Sequence, residues 1–239
     1  MNISIFALPP LLTGLCTLAL GLFVLLKSKS RDLARRFSIL CFSIMVWQFG
    51  NVLSWSSKTP DIALFWIRLV YIGVAFIPAL AYHLSVSTND LQKQKRWIPF
   101  IYLLSFLLLF LVFREDFIIG VRETLWGRHQ IAGKSHSLFL FFWTLPLILS
   151  VFNFYYGYRS TTSPFERQRR RLLSVGFFIA CLAGIDYLPS YGVQIPYPLG
   201  FIFILFFIVS TTYASVYYKA LDVEVILKKI SIITFLSIV

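Results

Sequence analysis

The sequence predicts an all-α, polytopic transmembrane helix bundle of seven spans, followed by the start of a further apolar segment. Three observations carry that reading. Of 239 residues, 58% are hydrophobic and only 13% are charged, against roughly 45–50% and 25% in soluble domains. A chain this short cannot hide so many Phe, Leu and Ile side chains from water. The apolar residues also gather into runs near the ~20 residues that a helix needs to cross a bilayer.

The first span is read at residues 5–26. Pro9 and Pro10 fall in its opening turns, where a missing N–H costs little. No basic stretch precedes it and no small-residue cleavage site follows, so it is read as retained. A basic run follows: Lys27, Lys29, Arg31, Arg35 and Arg36. The second span is placed at 37–57 and the third at 62–87, with Arg68 inside the third and a polar turn at 58–61 between them. A basic loop, 89–96, leads to a fourth span at 97–113. That span is apolar all round and is expected to face lipid broadly.

Residues 114–135 form the longest polar stretch, read as a loop whose Glu115, Asp116 and Glu123 make a solvated face. The fifth span is placed at 136–156. A basic elbow holding Arg167, Arg169, Arg170 and Arg171 precedes the sixth, at 172–188. A loop rich in Pro, Gly and Tyr (189–198) leads to the seventh, at 199–217. Pro78 and Pro146 are candidate breaks in spans three and five. Residues 1–229 are therefore read as one membrane sensor or input domain. The apolar tail 230–239 is about half a span, and reads as the start of an eighth in a chain that continues.

The net charge of +12 is topological. Sixteen of the 22 Lys and Arg fall in the loops after spans one, three, five and seven, and five after spans two, four and six; Arg68 completes the count. Positive loops stay cytoplasmic, so the N-terminus is expected outside, in a bacterial inner membrane, and nucleic acid is excluded as a partner. The basic clusters set topology and contact lipid headgroups. Trp and Tyr gather where spans end, at Trp55, Trp66, Trp97, Tyr155, Tyr156 and Tyr187, as an interfacial belt does.

No phosphate-binding loop, zinc-protease motif, nucleophile elbow or CxxC is present, so no catalytic residue, cofactor or metal is expected. Cys16, Cys41 and Cys181 sit in apolar runs and read as reduced, buried thiols. His83 reads as a packing residue, and His129 with His136 is too sparse a pair for a metal site. Buried polar groups in spans are the candidates for function. Arg68, Asp186, Asn51 and Gln48 are placed in the outer third of the bundle, with Trp66, Tyr71 and Tyr187 as lining. Arg68 and Asp186 are expected to neutralise each other. Either they form a structural pair, or Arg68 snorkels to the interface, or the set forms a pocket for a small-molecule or membrane signal.

Four stretches, in order, carry a family resemblance: ALFWIRLVYIGVAFIPALAYHL (63–84), SPFERQRRRLL (163–173), GIDYLPSYGVQIPYPLGF (184–201) and TTYASVYYKALDVEVILKK (211–229). Together they resemble the N-terminal seven-helix membrane region of bacterial sensor histidine kinases and related signalling proteins, including a Tyr-x-x-x-Asp element at Tyr218 and Asp222. The resemblance implies an input region acting on cytoplasmic PAS, kinase or cyclase modules in cis or trans, with no catalysis of its own. It supplies no ligand-binding residue. A homodimer is a further expected partnership. A small transporter or channel, or a structural membrane subunit, are the alternative readings; the sequence shows no internal repeat of the kind transporters carry.

Overall fold

The computed structural model describes residues 3–219 and 221. Among the described residues eight α-helices follow one another: α1 (Leu8–Lys27), α2 (Arg31–Trp55), α3 (Pro60–Val74), α4 (Ile77–Thr88), α5 (Ile98–Val112), α6 (Lys134–Ser160), α7 (Pro164–Cys181) and α8 (Gly200–Tyr218). Short 3-10 helices precede α1 and α5, and a longer one, Leu182–Tyr191, continues α7. Among the described residues, six helical stretches are long and apolar enough to cross a membrane, and Gly200–Ser215 is a shorter apolar helix. The Tyr218–Asp222 element and the tail 230–239 reach beyond the described residues.

Helix α2 begins six residues before the apolar run, so Arg31, Arg35 and Arg36 lie on its first turns. The arginine elbow likewise belongs to α7, where Arg169 meets Glu166 one turn back at 2.6 Å. The long stems of these arginines let a helix continue past the apolar region while their charges stay wet.

The expected all-α architecture needs one correction. Residues 114–135 are not a plain polar loop. Strands β1 (Ile118–Thr124) and β2 (Gly127–Ala132) pair antiparallel, with Arg122 opposite His129 and Glu123 opposite Arg128. The turn closes on Gly127, whose φ of +130° a side chain rarely adopts. A Cβ there would also meet the Trp55 carbonyl at 2.4 Å. The hairpin thus lies directly on the end of α2, and Trp126 joins Trp55, Val52 and Ala7 in a small core of its own.

Cross-links show which loops share an end of the bundle. Tyr197 donates to the Phe6 carbonyl at 2.5 Å, Ser4 N–H donates to Ser56 Oγ at 3.2 Å, and Arg128 donates to the Ser57 carbonyl. The N-terminus, the 56–59 turn, the hairpin and the 192–199 loop therefore meet at one end, called here the hairpin end. At the opposite, elbow end, Arg36 bonds Ser87 at 2.5 Å and Arg170 bonds the Gly157 carbonyl at 3.0 Å.

Span three is broken. Helix α3 stops at Val74 and α4 starts at Ile77, with Pro78 in its first turn. Proline has no N–H to return to the carbonyl four residues back, so the Val74 carbonyl is left without a helical partner. The Trp143 indole N–H of α6 donates to it at 2.8 Å. Pro146 lies inside α6, which runs on without a break.

This arrangement predicts a rescue. Trp143→Phe leaves a buried carbonyl unpaired and should destabilise the bundle by about 1–3 kcal/mol. Adding Pro78→Ala supplies the missing backbone N–H and should recover much of the loss. Thermal unfolding of both variants in nanodiscs checks this; an equal loss in the double variant would contradict the assignment.

Candidate functional site

Beneath the hairpin lies a polar cavity of about 30 Å³. At roughly 10–15 Å³ per water, it has room for about two waters. Four elements bring its walls together. Helix α2 supplies Trp47, Asn51 and Trp55, α3 supplies Tyr71, β2 supplies Arg128, His129 and Gln130, and the 3-10 segment after α7 supplies Asp186 and Tyr187. Helices α2 and α3 come this close because Gly50 has no side chain: a Cβ there would overlap Val70 Cγ2 at 1.6 Å.

Of the residues singled out from sequence, Asn51, Tyr71, Asp186 and Tyr187 line this cavity and Arg68, Gln48 and Trp66 do not. Gln48 is buried, and its Nε2 has no hydrogen-bond partner among the described residues. It packs towards α1, where the Cβ position of Gly14 lies 3.2 Å from Gln48 Cβ. Trp66 stacks edge-on against Phe65, 5.1 Å away.

The expected neutralisation of Asp186 by Arg68 does not occur: among the described residues no ion pair joins them. Asp186 is instead satisfied by a helix end. Its Oδ1 accepts the backbone N–H of Gly200, the first residue of α8, at 2.8 Å. A carboxylate at a helix N-terminus gains from unpaired N–H groups and the helix dipole together. Glycine is required at 200, since a Cβ would stand 2.2 Å from Asp186 Oδ2. Arg68 is half-buried, with its Nε shielded and without a hydrogen-bond partner among the described residues.

Above the cavity sits a polar chain that local sequence patterns could not reveal, because its members are far apart in sequence. The Gln130 amide donates to Tyr71 Oη at 2.6 Å and to Ser190 Oγ at 3.0 Å. Tyr71 Oη lies 2.5 Å from His136 Nε2, and His136 Nδ1 lies 2.6 Å from Tyr191 Oη. With Gln130 donating into Tyr71, the phenol proton is directed at His136 Nε2, and Nδ1–H then donates to Tyr191. Aromatic rings enclose the chain: Phe117 and Phe139 stand edge-on to Tyr71 at 4.8 and 5.4 Å. Trp47 stacks on Tyr187 at 6.4 Å, with planes 12° apart. The one available signal was the β-rich stretch around Trp126-Gly127, which marks a hairpin and so brings His129 and Gln130 over the bundle.

The site thus offers a carboxylate fixed to a helix end, the Arg128 guanidinium, which bonds the Ser57 carbonyl and Glu123 while its buried Nε has no partner among the described residues, and aromatic walls. His129, under the hairpin, bonds Ser190 Oγ at 3.2 Å. Burial and then the Arg122 guanidinium hold it down to about 4 from its ordinary 6.5.

Two measurements follow. Arg68→Leu and Asp186→Asn should act independently, their stability effects adding within about 0.5 kcal/mol; a larger coupling in a double-mutant cycle would restore the ion pair. His129 binds fewer protons folded than unfolded, so its contribution is complete above pH 6.5 and declines as pH falls towards about 4. At about 1.4 kcal/mol per unit, a few kcal/mol of hairpin stability should be lost across that window. Amide exchange over 118–132 at pH 7 and pH 4.5 should show it, and His129→Gln should flatten the response.

Comparison with known proteins now bears on this geometry. No curated protein matches the chain. The family model for the N-terminal 7TM region of histidine kinase matches residues 9–223. That match spans the eight helices from the second residue of α1 onward, with the hairpin and the cavity, and sets them in a lipid bilayer with cytoplasmic signalling partners. The chain therefore belongs to the family of N-terminal seven-transmembrane regions of histidine kinases, as a multi-pass membrane sensory input region.

Proposed function

We propose that this region binds a small signal in the polar cavity at the hairpin end and passes the event to cytoplasmic modules through α8. One observation carries the reading: Asp186 both lines the cavity and holds the first N–H of α8. A ligand that contacts Asp186 competes with, or tightens, the bond that fixes the start of that helix. Such a ligand biases two bundle arrangements only through contacts that differ between them, and the Asp186–Gly200 bond is such a contact.

In this reading the chain crosses a bacterial inner membrane seven times, with its N-terminus and the hairpin outside. The cross-links that gather the N-terminus, the 56–59 turn and the hairpin at one end support that path, as does the excess of basic residues at the other. Arg167, Arg169, Arg170 and Arg171, with Lys27, Lys29, Arg35 and Arg36, then face anionic headgroups on the cytoplasmic side. Residues 1–229 act as one input domain, and a homodimer presents two α8 exits to the output modules.

Two experiments test this. Reporter fusions at Lys58 and Arg171 should read outside and inside respectively; the opposite result sinks the orientation. In a chimera with a histidine-kinase output module, Asp186→Ala should shift basal autophosphorylation while Arg68→Leu leaves it unchanged. An Asp186→Ala chimera that inserts normally and signals at the parental level would rule out the relay through α8.

A further inference from the structure

A second cavity lies deeper, on the far side of Trp47 and Tyr187, which line both spaces. Its volume is about 50 Å³ and its walls are almost wholly apolar, from Ile44, Val74, Trp143, Phe177 and Phe207 among others. It abuts the break in span three, since Val74 and Ile77 stand on either side of that break and Trp143 donates to the Val74 carbonyl.

Its wall is thinnest at Gly184, which lines the void, is half-buried, and has open space where a Cβ would stand; this is the place where the void comes nearest to the outer surface of the bundle. On the same 3-10 segment Leu182, Ile185 and Leu188 are exposed apolar side chains, which is the pattern of a lipid-facing surface. Gly184 lies seven residues before the end of that segment at Tyr191, or about 14 Å at the 3-10 rise. That is close to half of the ~30 Å hydrocarbon thickness. With Tyr191 taken at the hydrocarbon boundary, an opening at Gly184 lies at the depth where lipid chains end.

We propose that this void binds the terminal segment of an unbranched acyl chain from the surrounding bilayer. Three features select that occupant. An opening at Gly184 faces hydrocarbon, so what enters is hydrocarbon. The walls offer no set of polar partners, so water is a poor filler. The volume is about a third of the ~150 Å³ that takes up a benzene ring, so a ring is too large, and an unbranched chain end needs less of that space than a methyl-branched one. A seated chain end contacts Trp143 and Tyr187 together. It stiffens the Trp143–Val74 bond at the break and the Trp47–Tyr187 wall of the polar cavity. Chain shape in the bilayer thereby becomes an input to the same bundle. Binding itself depends only on the membrane setting and not on the signalling role.

The native cysteines supply the test. Cys181 lines the void and is half-buried, whereas Cys16 is exposed on α1 and reports the bilayer alone. The intact chain is placed in nanodiscs of dioleoyl or diphytanoyl phosphatidylcholine and treated with methyl methanethiolsulfonate. Modification of each thiol is read by mass spectrometry. Straight chains should suppress Cys181 labelling relative to Cys16, and the methyl-branched lipid should restore it. Gly184→Leu, which fills the opening, should give low Cys181 labelling in both lipids; Ala180→Leu, from the void's own lining, serves as a second plug. An equal Cys181-to-Cys16 ratio in the two lipids would overturn the proposal. So would an unreactive Cys181 in both, or a lipid dependence that survives the plugging variants.

Discussion

The structure turns on one requirement: inside hydrocarbon, a backbone or side-chain polar group must find its partner within the protein. Pro78 creates the sharpest instance, because it strands the Val74 carbonyl in the middle of a span. The answer comes from another helix, in the Trp143 indole. That single bond ties α6 to the end of α3 and leaves α4 a separate short rod. The same requirement places Asp186 against the start of α8 rather than against a cation. A helix end is already present wherever the chain re-enters the bundle, whereas a buried arginine would need its own desolvation offset.

Helix α4 is pinned at its other end by a second amide cluster. Asn153 and Gln94 exchange hydrogen bonds at 2.8 Å in both directions, Asn153 also donates to Ser85, and Tyr82 donates to Gln94 at 3.0 Å. Arg36 of α2 reaches Ser87 on the same rod. The rod is therefore bounded by a tryptophan-held break above and an amide lock below. Side-chain bonds of this kind can exchange partners without breaking helical hydrogen bonds. That makes the two ends of α4, rather than helix interiors, the places where the bundle can adopt a second arrangement at low cost.

The membrane character, the approximate spans and the break at Pro78 were legible because each depends on a local pattern: apolar length, charge placement, or a missing donor. The hairpin was missed because its charged residues were weighed as solvated, while Trp126 and Gly127 mark a turn that docks on Trp55. The pairing of Arg68 with Asp186 failed for a different reason. Depth along a helix can be counted from sequence, but the direction a side chain faces around the bundle depends on which helices are neighbours. Asn51, Tyr71, Asp186 and Tyr187 share depth and face, and so meet at one cavity; Arg68 shares only depth. The Tyr71–Gln130–His136–Tyr191 chain was out of reach, since its members are joined by tertiary packing alone.

The two cavities are not independent, because Trp47 and Tyr187 form the wall between them. Trp47 is half-buried and Tyr187 is buried, so of the two the tryptophan has more room to move. On the proposed reading, a ligand on the polar side gains contact with the stack only in an arrangement that keeps the rings parallel, and a chain end on the apolar side supports the same rings from beneath. Each then favours one state of a shared element, and the free energy of coupling between them must be reciprocal. It follows that any affinity measured at the polar cavity belongs to the protein in a given bilayer, not to the protein alone.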